Sequence, residues 1–206
     1  MINLQKGQKI DLTKSNPGLK NIMVGLGWDP VENAKGGGGG GLLGGLFGGG
    51  NKQANIDCDA SVYLLNANSK LANPKNLVYF GNLTSPCGSI RHSGDNLTGA
   101  GDGDDEQINV DLSRVPADVH RLVFVVNIYE CEKRKQHFGM IRNAFIRIVN
   151  STNGQELCRF NLSEGYEGKT SLITGEVYRH NGEWKFAALG ESTTDPGLKS
   201  LTRRFL

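Results

Sequence analysis

The order of apolar and turn residues predicts an all-β fold, a two-sheet β-sandwich of about ten short strands with a short C-terminal helix. Three observations carry that expectation. Apolar side chains repeat with a period of two over short stretches, the signature of half-buried strands. Gly, Asn, Asp and Pro punctuate those stretches at short intervals. Only two segments suit a helix, and both are short.

The elements follow in chain order. Asn21–Trp28, Asp59–Leu65, Asn76–Gly81 and Ser89–His92 read as strands. Ile108, Val110 and Leu112 alternate with Asn109 and Asp111, and Pro116 marks the turn that follows. Leu122–Tyr129 is a nearly unbroken β-branched and aromatic run, suited to a strand covered on both faces. Glu132–Gln136 suits one helical turn. Ala144, Ile146 and Ile148 alternate with Phe145, Arg147 and Val149, and the turn Ser151–Gly154 joins them to Leu157–Leu162 as a hairpin. Glu176–His180 and Glu183–Ala187 flank Asn181-Gly182, a pair that tolerates the positive φ of a type I′ turn. Leu198–Phe205, opened by Asp195-Pro196, is the C-terminal helix.

The chain reads as a single domain over 1–206, interrupted by a glycine-rich loop insertion at 35–51. Of 29 glycines, eleven fall between Gly36 and Gly50, and so local an excess favours a flexible surface loop. Leu42, Leu43, Leu46 and Phe47 within it offer an apolar patch for a partner or for peripheral contact with a membrane. With 23 basic and 21 acidic residues, net +2, the chain carries no coat of charge for nucleic acid. The first nine residues hold no apolar core of a signal peptide, and no run of about 18 apolar residues is present. The expected location is cytoplasmic, with Cys58, Cys87, Cys131 and Cys158 as reduced thiols, two of them in the core.

The stretch Asp95–Glu106 carries the chemistry. Asp95, Asp102, Asp104, Asp105 and Glu106 place five carboxylates in twelve residues, without Lys or Arg among them. Each pair at ~5 Å in water repels by roughly 0.8 kcal/mol, so collapsing the loop calls for a divalent cation. An all-oxygen donor set suits Ca²⁺ and disfavours zinc or copper. The spacing is not that of an EF-hand, because Leu97, Gly99 and Ala100 stand at its ligand and turn positions. A solvated acidic loop that binds nothing is the other reading. Asp57-Cys58-Asp59 adds two carboxylates on one strand face with the thiol on the other. Asp29 suits a turn before Pro30. His92, His120, His137 and His180 are scattered and form no nucleophile–base pattern.

These residues resemble the tellurite-resistance TerD family over nearly the whole chain outside the insertion. The resemblance runs through Gly25–Asp29, Asp57–Ser61, His92–Gly99, Gly101–Glu106, Val115–Asp118, Asn143–Asn150 and Tyr178–Phe186. It implies a calcium-binding β-sandwich acting in bacterial stress resistance to tellurite, phage and colicins. The function expected is that of a non-enzymatic module, ordered by Ca²⁺ as two ions, that docks on other proteins such as paralogues of the family. The ligand set that the resemblance implies is Asp57, Asp59, Asp95, Asn96, Asp102, Asp104, Asp105 and Glu106. A metal-dependent phosphoester hydrolase is the alternative for the acidic cluster.

Removing residues 36–50 is expected to leave the melting temperature and Ca²⁺ titration unchanged, since loop length costs only about 0.6 kcal/mol per doubling. If Leu42, Leu43, Leu46 and Phe47 form a docking patch, the same deletion weakens self-association in sedimentation or partner capture in pull-down; unchanged values make the insertion a passive spacer, the reading its composition favours. Loss of Ca²⁺ binding on deletion would overturn this domain organisation.

Overall fold

A computed structural model describes residues 1–30, 56–94, 103–162 and 165–206. The glycine-rich insertion and its four apolar side chains lie outside the described residues, as do Asp95, Asn96 and Asp102.

Twelve strands form among the described residues. They are β1 (Ile2–Leu4), β2 (Lys9–Asp11), β3 (Asn21–Pro30), β4 (Cys58–Leu65), β5 (Leu77–Val78), β6 (Ile90–His92), β7 (Glu106–Asp111), β8 (Arg121–Ile128), β9 (Ile141–Asn150), β10 (Glu156–Asn161), β11 (Ser171–His180) and β12 (Glu183–Thr193). Two helices accompany them, α1 (Cys131–Arg134) and α2 (Leu198–Thr202). One six-stranded sheet, sheet A, has the order β1-β10-β9-β3-β7-β6; the other, sheet B, has the order β2-β12-β11-β8-β4-β5. This is the expected sandwich.

The alternation seen in the sequence sets the faces. Ile22, Val24, Leu26 and Trp28 of β3, Ile108 and Val110 of β7, and Ile146 and Ile148 of β9 meet Val62, Leu64, Leu122, Phe124 and Phe186 of sheet B in one core. Strand β8 is covered on both sides, as its unbroken apolar run requires. Val123 and Val125 point away from the main core, into a second cluster with Tyr63, Leu65, Ile173 and Leu201 of α2. The C-terminal helix is therefore a third layer on the outer face of sheet B. Tyr63 fastens it, with its Oη 3.0 Å from Thr202 Oγ1 and its ring 4.6 Å from that of Phe205. Asp195 closes the other end, accepting from Ser200 Oγ at 2.6 Å and Arg204 Nε at 2.9 Å.

The turns behave as their residues dictate. Asn181 (φ 52°) and Gly182 (φ 81°) link β11 to β12, the pair of positive φ values that a type I′ turn needs. Two differences from the sequence reading are local. The segment expected as a strand over Asn76–Gly81 forms one only at Leu77–Val78, because Pro74 and the Asn73 side chain first set a 3₁₀ turn and Tyr79 then bridges back to Asn82. β1 and β2 are edge strands of three residues, too short and too exposed to show a period. All four cysteines are free thiols, with Cys58, Cys131 and Cys158 in the core.

The outer face of β3 positions the acidic segment. Gly25 and Gly27 face outward between Leu26 and its inward neighbours. A Cβ on Gly25 would strike the Asp104 carboxylate, and one on Gly27 would lie 2.5 Å from Gly103 O and 2.6 Å from the Phe145 ring. The missing side chains thus let Gly103–Asp104 lie flat across the strand. Asp104 crosses Gly25 to reach Arg147, which pairs with Gly25 in the β3–β9 register. Gly27→Ala is expected to lower stability by about 1–3 kcal/mol, since backbone and ring must both move. Arg147→Met is expected to cost about 3 kcal/mol or more, because it strands a buried carboxylate. Chemical denaturation of both variants checks these values.

Candidate metal centre

The strand period splits the Asp57-Cys58-Asp59 stretch between two faces. Cys58 enters the sandwich core, and Asp57 and Asp59 take the opposite face, both buried. Asp59 stands opposite Asn127 in the β4–β8 register, and Asn127 Nδ2 donates to Asp59 Oδ2 at 3.3 Å. Asp57 lies 3.7 Å from Arg134 Nη1 of α1, and its carbonyl accepts from Tyr129 N at 2.8 Å. Burial, with the charges of Asp59, Asp57, Glu106 and Asp105, pushes the Cys58 thiol well above its ordinary pKa. Cys58 therefore stays protonated and inert. Its electrostatics also register how many carboxylates gather at this end of the sandwich.

Glu106 reaches the same place from sheet A. It begins β7 with the inward phase of Ile108 and Val110, and its side chain is buried. Opposite it, β4 has an open edge at Ala60, because β5 pairs only with Val62 and Tyr63. Two side chains of sheet A close that edge. Ala60 N–H donates to Glu106 Oε2, and Ala60 O lies 3.1 Å from His92 Nε2. Gly94 N–H donates to His92 Nδ1 at 3.0 Å, which favours the tautomer with the proton on Nε2. Burial disfavours the His92 imidazolium. The Glu106 carboxylate, 3.6 Å away, together with Ala60 O and the charge of Asp59, outweighs it and raises the pKa above the ordinary value.

Asp104 and Asp105 take two other directions. Asp104 accepts from Arg147 Nε at 2.7 Å and Nη2 at 2.9 Å, and from Gln107 Nε2 at 3.3 Å. Arg147 in turn binds Glu156 at 2.9 Å. Asp105 N donates to Leu26 O, and its Oδ2 accepts from Trp28 N, both at 2.8 Å. Burial raises the Asp105 pKa. The Trp28 N–H opposes this, but the charges of Asp29, Asp104 and Glu106 add to the rise. Asp29 itself accepts from Asn143 Nδ2 at 2.7 Å.

Of the eight residues singled out in the sequence, Asp57, Asp59, Asp105 and Glu106 share the electrostatic neighbourhood of Cys58. Asp104 faces the outside of sheet A with both oxygens on Arg147. Asp95, Asn96 and Asp102 fall outside the described residues. Among the described residues, no three of His, Cys, Asp and Glu converge into a group that could hold a metal ion. Sequence reasoning missed His92, Asn127 and Arg147. Asn127 did leave a signal, as the single polar residue inside the apolar run Leu122–Ile128. His92 and Arg147 acquire their roles only through cross-strand pairing.

Comparison with known proteins shows the family of the chain. Residues 1–205 match the TerD domain. The stress response protein SCP2 of Bacillus subtilis (strain 168) is 57% identical over 205 residues, covering 100% of this chain and 99% of that one. The tellurium resistance protein TerD of Serratia marcescens is 40% identical over 204 residues, covering 99% and 96%. A solved structure described as a homologue of telluride resistance protein (TerD), from Streptomyces coelicolor A3(2), superimposes with a TM-score of 0.63 at 21% identity. It covers 86% of this chain and 92% of its own, and supports the fold alone. With a TerD domain across its length and relatives named for tellurium resistance and stress response, the chain belongs to the TerD domain family.

Proposed function

We propose that this chain is a non-enzymatic calcium-binding stress-response module, ordered by Ca²⁺ at its acidic end and acting by docking on other proteins. The observation that carries the reading is the Glu106 carboxylate. One oxygen caps Ala60; the other, Oε1, is buried and has no hydrogen-bond partner among the described residues. A buried carboxylate oxygen left so is costly, and a hard cation offers the matching partner. Asp57, Asp59 and Asp105 act with Glu106 on the Cys58 thiol, and so add carboxylate oxygens at the same end of the sandwich.

In this reading Glu106, Asp59, Asp57 and Asp105 supply part of the coordination, and Asp95, Asn96 and Asp102 complete it. Bound Ca²⁺ would supply the positive charge that offsets the mutual repulsion of these carboxylates. The chain's own groups do the positioning. His92 and Ala60 fix one edge of Glu106, Trp28 N fixes Asp105, and Asn127 fixes Asp59. Asp104 would act as an anchor of the segment through Arg147 rather than as a ligand.

The cations that touch the acidic cluster give the hydrolase reading no support. Such chemistry needs cations free to neutralise a phosphoester. Arg147 is committed to Asp104 and Glu156, and Arg134 lies beside Asp57 and Glu130. Tellurium resistance and stress response are carried in the names of the relatives and are proposed as this chain's role, in the cytoplasm. Among the described residues no helix is long and apolar enough to cross a membrane.

Calorimetric titration tests the metal. Ca²⁺ is expected to bind more tightly than Mg²⁺, and Glu106→Gln with Asp59→Asn is expected to abolish at least one site. Unchanged titration in that double variant would overturn the assignment. Saturating Ca²⁺ is expected to stabilise the fold by about 2.7 kcal/mol at 100 times Kd, read as a higher Tm in Ca²⁺ than in chelator. Equal Tm values would mean a solvated acidic patch.

A further inference from the structure

An open cleft of about 570 Å³ lies on the outer side of sheet B. Its wall on one side is α2 with the turn that follows, carrying Lys199 and Arg203; its sheet side carries Asp59 and Asn127. A third wall is aromatic. Tyr79, Phe80 and Tyr129 stand in a row, with successive ring centroids 5.3 and 6.4 Å apart and interplanar angles of 79° and 84°.

Four features of this cleft call for a ligand of one kind. First, Phe80 and Tyr129 are 39% and 40% exposed, among the few large apolar side chains left to solvent. Second, the rings meet edge to face, which suits a cation over the exposed Phe80 ring better than a base stacked between parallel plates. Tyr129 already carries one such cation, Arg134, whose Cζ lies 5.2 Å from its centroid. Third, Asn127 is only 4% exposed and lines the cleft, yet its Oδ1 has no hydrogen-bond partner among the described residues. With its Nδ2 turned to Asp59, the amide is left with Oδ1 as an acceptor that an N–H donor would satisfy. Fourth, the opposite wall is basic and wants an anion.

We propose that this cleft binds a free basic amino acid. Its side-chain ammonium or guanidinium would lie against Phe80 and donate to Asn127 Oδ1, and its carboxylate would face Lys199 and Arg203. A quaternary ammonium has no N–H for Asn127. A simple anion would meet Asp59 and Glu130. An uncharged apolar ligand would strand charges on both walls. Asp59 also belongs to the calcium reading, but this inference stands apart from it, since it rests on Asn127 and the aromatic wall.

The test is calorimetric titration with L-arginine and L-lysine, in chelator and in excess Ca²⁺. L-norleucine, which lacks the side-chain cation, and cadaverine, which lacks the carboxylate, are the comparison probes. Saturable binding of L-arginine or L-lysine is expected, with none for L-norleucine and about tenfold weaker binding for cadaverine, in line with one lost charge-assisted contact. Phe80→Ala, at an exposed position that leaves folding intact, and Asn127→Leu are each expected to weaken binding about tenfold. Glu106→Gln is expected to keep amino-acid binding while losing Ca²⁺, so that failure of either reading shows separately. Absence of saturable binding up to about 10 mM, a generous limit for a ligand this small, would overturn the proposal. So would wild-type affinity in both the Phe80 and Asn127 variants.

Discussion

The hydrogen bond from Ala60 N–H to Glu106 holds the acidic end of the molecule together. Sheet B runs out of partners at Ala60, because β5 is only two residues long. An open edge leaves an N–H and a C=O to be satisfied. Glu106 and His92, from neighbouring strands of sheet A, satisfy one each. The same contacts bring a carboxylate into the interior, at the end of the sandwich where Asp57, Asp59 and Asp105 also act on Cys58.

Three consecutive acids, Asp104, Asp105 and Glu106, are separated where the chain enters a strand: Glu106 is the first residue of β7 and takes the inward phase of Ile108 and Val110, whereas Asp104 and Asp105 precede the strand and lie against β3. Asp104 goes over the outer face of sheet A to Arg147, Asp105 turns to the Trp28 amide, and Glu106 enters the sandwich. Each carboxylate has a different partner, so the repulsion is met in three ways: ion pairing, a backbone donor and a capped strand edge. Gly25 and Gly27 are part of the same solution, because Gly103–Asp104 can lie on β3 only where no Cβ stands.

The third layer gives the other end of β4 and β8 a different character. Tyr63, Val123 and Val125 are covered by the C-terminal helix, whereas Asp59 and Asn127, further along the same two strands, are left facing the cleft beside it. The polar residues thus lie where the cover gives way to an open cleft, so the length of the helix sets where a ligand can approach the outer face of sheet B.

The sequence by itself determined the class of fold and most strands, because period two, β-branched runs and turn dipeptides are local properties that a packed sandwich reinforces. Asn181-Gly182 and the alternation through Ile108–Leu112 are the clearest cases. It also determined that Asp57 and Asp59 share a face opposite Cys58, which needs only the geometry of one strand. It could not show β1 or β2, whose three residues acquire their conformation from β10 and β12. Nor could it separate Asp104 from Asp105 and Glu106, or show that Arg147, forty-three residues away, would take both oxygens of Asp104. His92 read as one scattered histidine, and Asn127 as a polar interruption. Their meaning comes from strand pairing across and between sheets, which places residues distant in sequence within hydrogen-bond reach, and no local pattern encodes that reach.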